Sequence, residues 1–101
     1  RLKQVFVNVI KNSIESIDKF GIIELSILKK EKNIVIFIKD NGVGMTVEEL
    51  EHIKEMFYTT KRNGTGLGVA LSNEIIIAHG GSMDYESDKN KGTKCIISLP
   101  L

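Results

Sequence analysis

Two short runs, "GIIELSILKK" and "NIVIFIKD", alternate β-branched and other side chains and are joined through Glu31, Lys32 and Asn33. So short a link between alternating runs reads as an antiparallel hairpin, with strands over about 22–30 and 33–40. A second pair, "SMDYES" and "TKCIISL", flanks the turn-like stretch "DKNKG". The rest of the chain must supply what covers this sheet. In "RLKQVFVNVIKNSIESIDKF", Leu2, Val5, Phe6, Val9, Ile10, Ile14 and Ile17 recur at spacings of three and four, which predicts an amphipathic helix ended by Gly21. After the first hairpin, "DNGVGM" frees the backbone, and Thr46 caps a short helix, "VEELEHIKE", with Glu49 as its capping-box partner. "MFYTTKRNGTG" has no periodicity and reads as a loop of a length that is usually functional or mobile. A second long helix, "LGVALSNEIIIAH", is stopped by Gly80 and Gly81 after His79. Helices and strands come in blocks, so the expected class is α+β, a mostly antiparallel sheet with helices packed on one face.

At 101 residues the chain builds one core, not two. A net charge of +1 with interspersed signs leaves no electrostatic footprint for nucleic acid. Cys95 is the only cysteine, which excludes an internal disulfide and any multi-cysteine zinc site; its setting reads as a buried strand position. No apolar run approaches the roughly 18 residues of a membrane span, and no signal peptide is visible. The chain begins at Arg1, inside a helical pattern and without an initiator Met, and so reads as a piece of something longer.

Three stretches carry residues of chemical interest. Asn8 and Asn12 are four apart and share one face of the first helix, with Lys11 and Glu15 near them. Both asparagines could simply face solvent. Alternatively, their amide oxygens face a cation, and a neutral carbonyl oxygen suits Mg²⁺, which keeps phosphate and water in its shell. "KDNGVGM" ends a strand with Asp40 and frees the backbone with Gly42 and Gly44. A plain turn would use the same residues. A carboxylate there can also accept a hydrogen bond from an exocyclic amine such as adenine's, with a flat ring lying against the glycines. Finally, "GTGLGVA" places Gly64, Gly66 and Gly68 at alternate positions before a helix starting near Leu67. Loop amides and the helix dipole there can point at phosphate oxygens. Lys61 and Arg62 lie in the same loop, either as solvated cations or within reach of a terminal phosphate.

In order, "NVIKNSIES", "DNGVGM", "FYTTK", "GTGLGVALSNEIIIAHGG" and "GTKCIISLP" resemble the N box, first glycine box, F box, second glycine box and closing strand of the catalytic ATP-binding domain of sensor histidine kinases. These kinases belong to the larger group that includes gyrase, the Hsp90 chaperones and MutL. The resemblance covers nearly the whole chain, from about Gln4 to Pro100. It implies the Bergerat-type fold, a two-layer α/β sandwich with a mostly antiparallel mixed sheet and about three helices on one face.

The resemblance also assigns roles. Asn12 would ligate Mg²⁺, with Asn8 and Lys11 near the metal and phosphates. Asp40 would bind adenine, with Gly42, Gly44 and Met45 shaping the base pocket and Thr93 backing it. Phe57 is the F-box aromatic. Lys61 would face the phosphates from a compact lid, joined by Arg62, Gly64, Thr65, Gly66, Leu67 and Gly68. The departures are Met56 where such lids often carry proline, Tyr58 for phenylalanine and Val69 for leucine. Met56 puts the lid's stiffness in doubt.

One position separates two chemistries. In the ATPase relatives, the residue four before the metal-binding asparagine is a glutamate that activates water. Here it is Asn8, which has no group to take a proton. Transfer to a protein acceptor needs mainly positioning and charge neutralisation, so Asn8 and Lys61 are read as the catalytic pair of a kinase. The acceptor histidine is expected elsewhere. Neither His52 nor His79 is followed by an acid, and the only proline is Pro100. His52 is expected to face solvent and His79 to cap its helix.

The resemblance therefore implies a domain that binds ATP or ADP with Mg²⁺ and phosphorylates a histidine on its own dimerisation domain, which would precede Arg1. The phosphoryl group then passes to a response regulator or phosphorelay protein. The full-length protein would be a homodimer and this domain cytoplasmic, with membrane anchorage of the parent left open. The alternatives are a protein-serine kinase of the same superfamily, such as an anti-sigma factor, and a domain retained only for protein contacts. The abundance of Ile, Lys and Asn hints at an AT-rich genome, with a sporulation kinase as a guess.

Overall fold

The computed structural model describes residues 1–18, 20–56, 58 and 68–101. The elements run α1 (Leu2–Ser16), β1 (Ile23–Lys29), β2 (Asn33–Asp40), α2 (Val47–His52), α3 (Gly68–Ala78), β3 (Ser82–Asp88) and β4 (Gly92–Pro100). The strands form one sheet in the order β1-β2-β4-β3, and every pairing among the described residues is antiparallel. Both expected hairpins form, joined side by side through β2 and β4. The chain is thus the α+β sandwich that the resemblance implies, with a sheet that is antiparallel throughout the described residues rather than mixed.

The helix-facing side of the sheet is built in rows. Ile34 stands beside Leu99; then come Ile36, Ile97 and Met83, followed by Ile38, Cys95 and Tyr85. Val5 and Val9 of α1 and Ile75 and Ile76 of α3 close over these rows to make the core. The next row, Asp40, Thr93 and Ser87, continues the same face with polar side chains. The sheet therefore turns from apolar to polar at one end, while the strands and the alternation continue unbroken.

α1 stops at Ser16, short of Gly21, where the sequence pattern puts its end. The reason lies far along the chain. The Ser16 carbonyl accepts the Val43 amide at 3.0 Å, so it is taken by the loop after β2, and Ile17 is already extended. α2 begins as expected, with both halves of the Thr46/Glu49 capping box formed, but it ends at His52. It lies against β3, where Lys54 pairs with Asp84 at 3.1 Å. α3 ends in a Schellman arrangement, with the Gly81 amide on the Ile76 carbonyl and the Gly80 amide on that of Ile77. His79 caps it too, its Nδ1 donating to the Ile75 carbonyl at 2.8 Å.

The helices do not cover the whole face. α1 packs over β2 and β4, and α3 over β3. Leu25 and Ile27 of β1 share the face of Ile38 and Ile36, yet they are 59% and 66% exposed.

Candidate functional site

The polar row gathers its partners from four parts of the chain. Asp40, the last residue of β2, is 4% exposed. Its Oδ1 accepts from the Gly42 amide at 2.9 Å, the Ser16 hydroxyl at 3.2 Å and the Thr93 amide at 3.3 Å. All three of these bonds end on Oδ1, so Oδ2 stands outside the set. Such a carboxylate is held in one orientation by β4, α1 and its own loop together. Ser16 Oγ also lies 2.8 Å from the Ser13 carbonyl, and has one proton for the two acceptors.

The loop after Asp40 is pressed into place by the same neighbours. A Cβ on Gly42 would meet Ser16 Oγ at 2.2 Å and the Ser16 carbonyl oxygen at 2.7 Å. Gly44 has φ +69°, and a Cβ there would lie 1.9 Å from the Asp88 carbonyl oxygen. The sequence alone leaves room for a ligand ring to require these glycines. The structure supplies a nearer reason: the protein's own backbone occupies the space. The Met45 amide then donates to Ser87 Oγ at 2.8 Å, and the Asn90 amide to the Val43 carbonyl at 2.7 Å. Loop 41–45 is thereby held between the end of α1 and the β3–β4 turn.

Ser87 is the node of this cluster. Besides the Met45 amide, its hydroxyl contacts the Gly92 carbonyl and Thr93 Oγ1, each at 2.9 Å. Neither Ser87 nor Ser16 stands out in the sequence reading. Ser16 could have been found, because Asn8, Asn12 and Ser16 form a line at i, i+4 and i+8 along α1, each about 6 Å beyond the last. Ser87 continues the apolar alternation of Met83 and Tyr85 as its polar end, but which strand it faces is set by register.

Asn8, on the same line, donates from Nδ2 to Ser72 Oγ of α3 at 3.4 Å, with Ser72 buried. Asn12 is half-buried and Lys11 exposed. Gly68 opens α3, and a Cβ there would meet nothing within 4 Å, so no packing among the described residues calls for a glycine. Phe57, Lys61, Arg62, Gly64, Thr65, Gly66 and Leu67 lie outside the described residues. The structure thus brings Asp40, Gly42, Gly44, Met45 and Thr93 together, and sets Asn8 and Asn12 along the α1 line that runs from Ser16 past α3. Among the described residues no three His, Cys, Asp or Glu side chains cluster to hold a metal. A site built on a neutral amide, with the remaining ligands brought by phosphate and water, does not need such a cluster.

The profile of the histidine kinase-, DNA gyrase B- and HSP90-like ATPases matches residues 1–101. The chain belongs to this family. Within the family its similarity is to histidine kinases. It is 44% identical over 101 residues to sporulation kinase C of Bacillus subtilis (strain 168), which covers 100% of this chain and 24% of that protein. Sporulation kinase E of the same organism is 44% identical over 102 residues, spanning 100% of this chain and 14% of that one. The chain therefore spans a quarter or less of these two relatives. Among solved structures, the catalytic domain of histidine kinase ThkA superposes with a TM-score of 0.85 at 32% identity, over 97% of this chain and 64% of that one. The expected fold and family are both met.

Proposed function

We propose that this chain is the ATP-binding catalytic domain of a sensor histidine kinase, a cytoplasmic part of a longer homodimeric protein. The observation that carries the reading is the polar row at the end of the sheet. There a buried carboxylate, Asp40, is oriented through Oδ1 by Gly42, Ser16 and Thr93, at the edge of the face that Asn8 and Asn12 border. Asp40 accepts the adenine amine, and Thr93 and Met45 flank the base. Asn12 would hold Mg²⁺ through its amide oxygen, and the ion would supply neutralising charge at the phosphates. Lys61 and Arg62, with the amides of Gly64, Thr65, Gly66, Leu67 and Gly68, would bind the phosphate chain, and Phe57 would serve as the F-box aromatic.

The γ-phosphoryl group of ATP passes to a nitrogen of a histidine on the dimerisation domain, the bond to the β–γ bridging oxygen breaking and ADP leaving with that oxygen. Asn8 cannot take a proton from water, and its amide is engaged with Ser72, so hydrolysis has no general base at this position. A response regulator or phosphorelay protein receives the phosphoryl group next. The similarity to sporulation kinases supports placing the parent in a sporulation-type two-component pathway.

Calorimetric titration of ATP, with and without Mg²⁺, tests this on wild type and Asp40→Asn. Wild type is expected to bind ATP more tightly with Mg²⁺. The variant, which replaces an acceptor to the amine by a donor or a neutral oxygen, is expected to lose about tenfold or more, the size of a hydrogen bond to a charged group. Equal affinity in the two proteins would remove the adenine assignment.

A further inference from the structure

Ser87, Thr93 and Asp40 stand side by side on three adjacent strands, and the hydroxyl protons of Ser87 and Thr93 can be counted. Ser87 Oγ has one proton and two lone pairs. The Gly92 carbonyl at 2.9 Å can only accept, so it takes the Ser87 proton. The Met45 amide at 2.8 Å can only donate, so it takes one lone pair. The remaining contact, Thr93 Oγ1 at 2.9 Å, must then be a donation from Thr93 to the second lone pair. Thr93 has spent its only proton, and what its hydroxyl offers to anything else is lone pairs alone. Asp40 beside it, as a carboxylate, offers lone pairs as well.

We propose that Ser87 is a positioning residue for base selection. It fixes the Thr93 hydroxyl as a hydrogen-bond acceptor, so that this end of the sheet presents acceptors only and selects a purine with an exocyclic amine over one with a carbonyl at the same carbon. Adenine brings N–H donors to that wall. Hypoxanthine brings a carbonyl oxygen at that carbon, which faces acceptors and supplies none of the N–H donors of the adenine amine. A site built to pair with a donor discriminates strongly against the analogue lacking it, because the buried acceptors go unsatisfied. The inference rests on the adenine reading of Asp40 given above.

ATP and inosine triphosphate differ at this position, so the ratio of their affinities is the readout, measured calorimetrically on the same chain. Ser87→Ala releases the Thr93 proton, which can then rotate to meet a carbonyl. The preference for ATP is expected to fall about fivefold, the size of one hydrogen bond, while Ser87→Thr, which keeps the hydroxyl, retains it. In a Thr93→Val background Ser87→Ala should leave the ratio unmoved. A Ser87→Ala protein that binds both nucleotides more weakly by the same factor overturns the proposal, because Ser87 would then only brace the loop. If Ser87→Ala does not fold, Thr93→Val decides: weakened ATP binding with inosine triphosphate unchanged supports the proposal, and equal losses overturn it. A wild-type chain that binds ATP but does not distinguish the two nucleotides removes the adenine reading itself, a result separate from a wild-type preference that Ser87→Ala fails to alter.

Discussion

The Val43 amide donates to the Ser16 carbonyl at 3.0 Å, and this bond between a loop and a helix 27 positions apart in sequence sets where α1 ends. In a continuing helix that carbonyl would accept the amide four residues on. Instead Ile17 is extended, and the Ser16 hydroxyl is left at the helix end, 3.2 Å from Asp40. Helix termination and orientation of the buried carboxylate are therefore one structural event. Anything that lifts loop 41–45 from α1 frays the helix and frees Asp40 together.

Gly44→Ala is the sharpest test of that coupling. The φ of +69° disfavours any side chain, and the added carbon would lie 1.9 Å from the Asp88 carbonyl oxygen. Strain of about 1–3 kcal/mol from the backbone alone is expected, with more from moving the β3–β4 turn. Thermal melting should show a clearly lowered midpoint, and amide exchange should speed up at both Val43 and the last turn of α1. A variant with a wild-type midpoint would mean that the turn yields without cost.

The sequence announces those parts of the fold whose causes are local. The α1 stripe from Leu2 to Ile10, the pairing of both hairpins, the Thr46/Glu49 box and the Gly80–Gly81 stop are formed where they are read, whereas Ile14 is exposed and Ile17 lies beyond the helix. It is silent where the cause is a long-range partner. Gly21 looks like the natural end of α1 because the Val43 contact is not visible in the pattern. Register puts Leu25 and Ile27 on the face of Ile38 and Ile36, but whether a helix lies above β1 depends on how far α1 and α3 reach across the sheet. Asp40 and Thr93 are legible as candidates through resemblance, whereas Ser87 becomes significant only when register sets it beside Thr93.

Cys95 is expected to be chemically silent in the folded chain. It is 2% exposed between Ile38 and Tyr85, and burial pushes its thiol pKa up to about 11. Burial also drives the Tyr85 phenol well above its usual range. At pH 8 the thiolate is on the order of a hundredfold scarcer than for an ordinary cysteine of pKa about 8.5. Labelling with an aromatic disulfide reagent should follow unfolding, tracking the denaturant midpoint. Prompt stoichiometric labelling under native conditions would contradict this packing.

His52 should titrate above its ordinary value, chiefly because its Nδ1 is hydrogen bonded to Glu55, with the charges of Glu55, Glu51 and Glu48 adding to the effect. Its ring also stands 5.5 Å from that of Tyr58. A raised pKa in the folded state means that the fold binds this proton more tightly than the unfolded chain does. The stabilisation is therefore fully present below the unfolded pKa and lost as pH rises through the folded one. Proton NMR should place the His52 midpoint above 6.5 in wild type and lower it in Glu55→Gln. A midpoint that ignores Glu55 would remove this contact from the α2 region.

Neither histidine carries the signature of a phosphoacceptor, since no acid directly follows either one and the only proline is Pro100. His79 serves its own helix end, donating Nδ1 to the Ile75 carbonyl, and His52 at the end of α2 is held against Glu55, whose charge would repel an incoming phosphate. The pure chain incubated with γ-labelled ATP and Mg²⁺ should remain unlabelled, with acid-labile and acid-stable phosphate both absent. Adding a separate dimerisation domain that carries a phosphoacceptor histidine should place label on that domain alone. Acid-labile label on this chain, lost in His52→Gln or His79→Gln, would falsify the assignment of the acceptor to another domain.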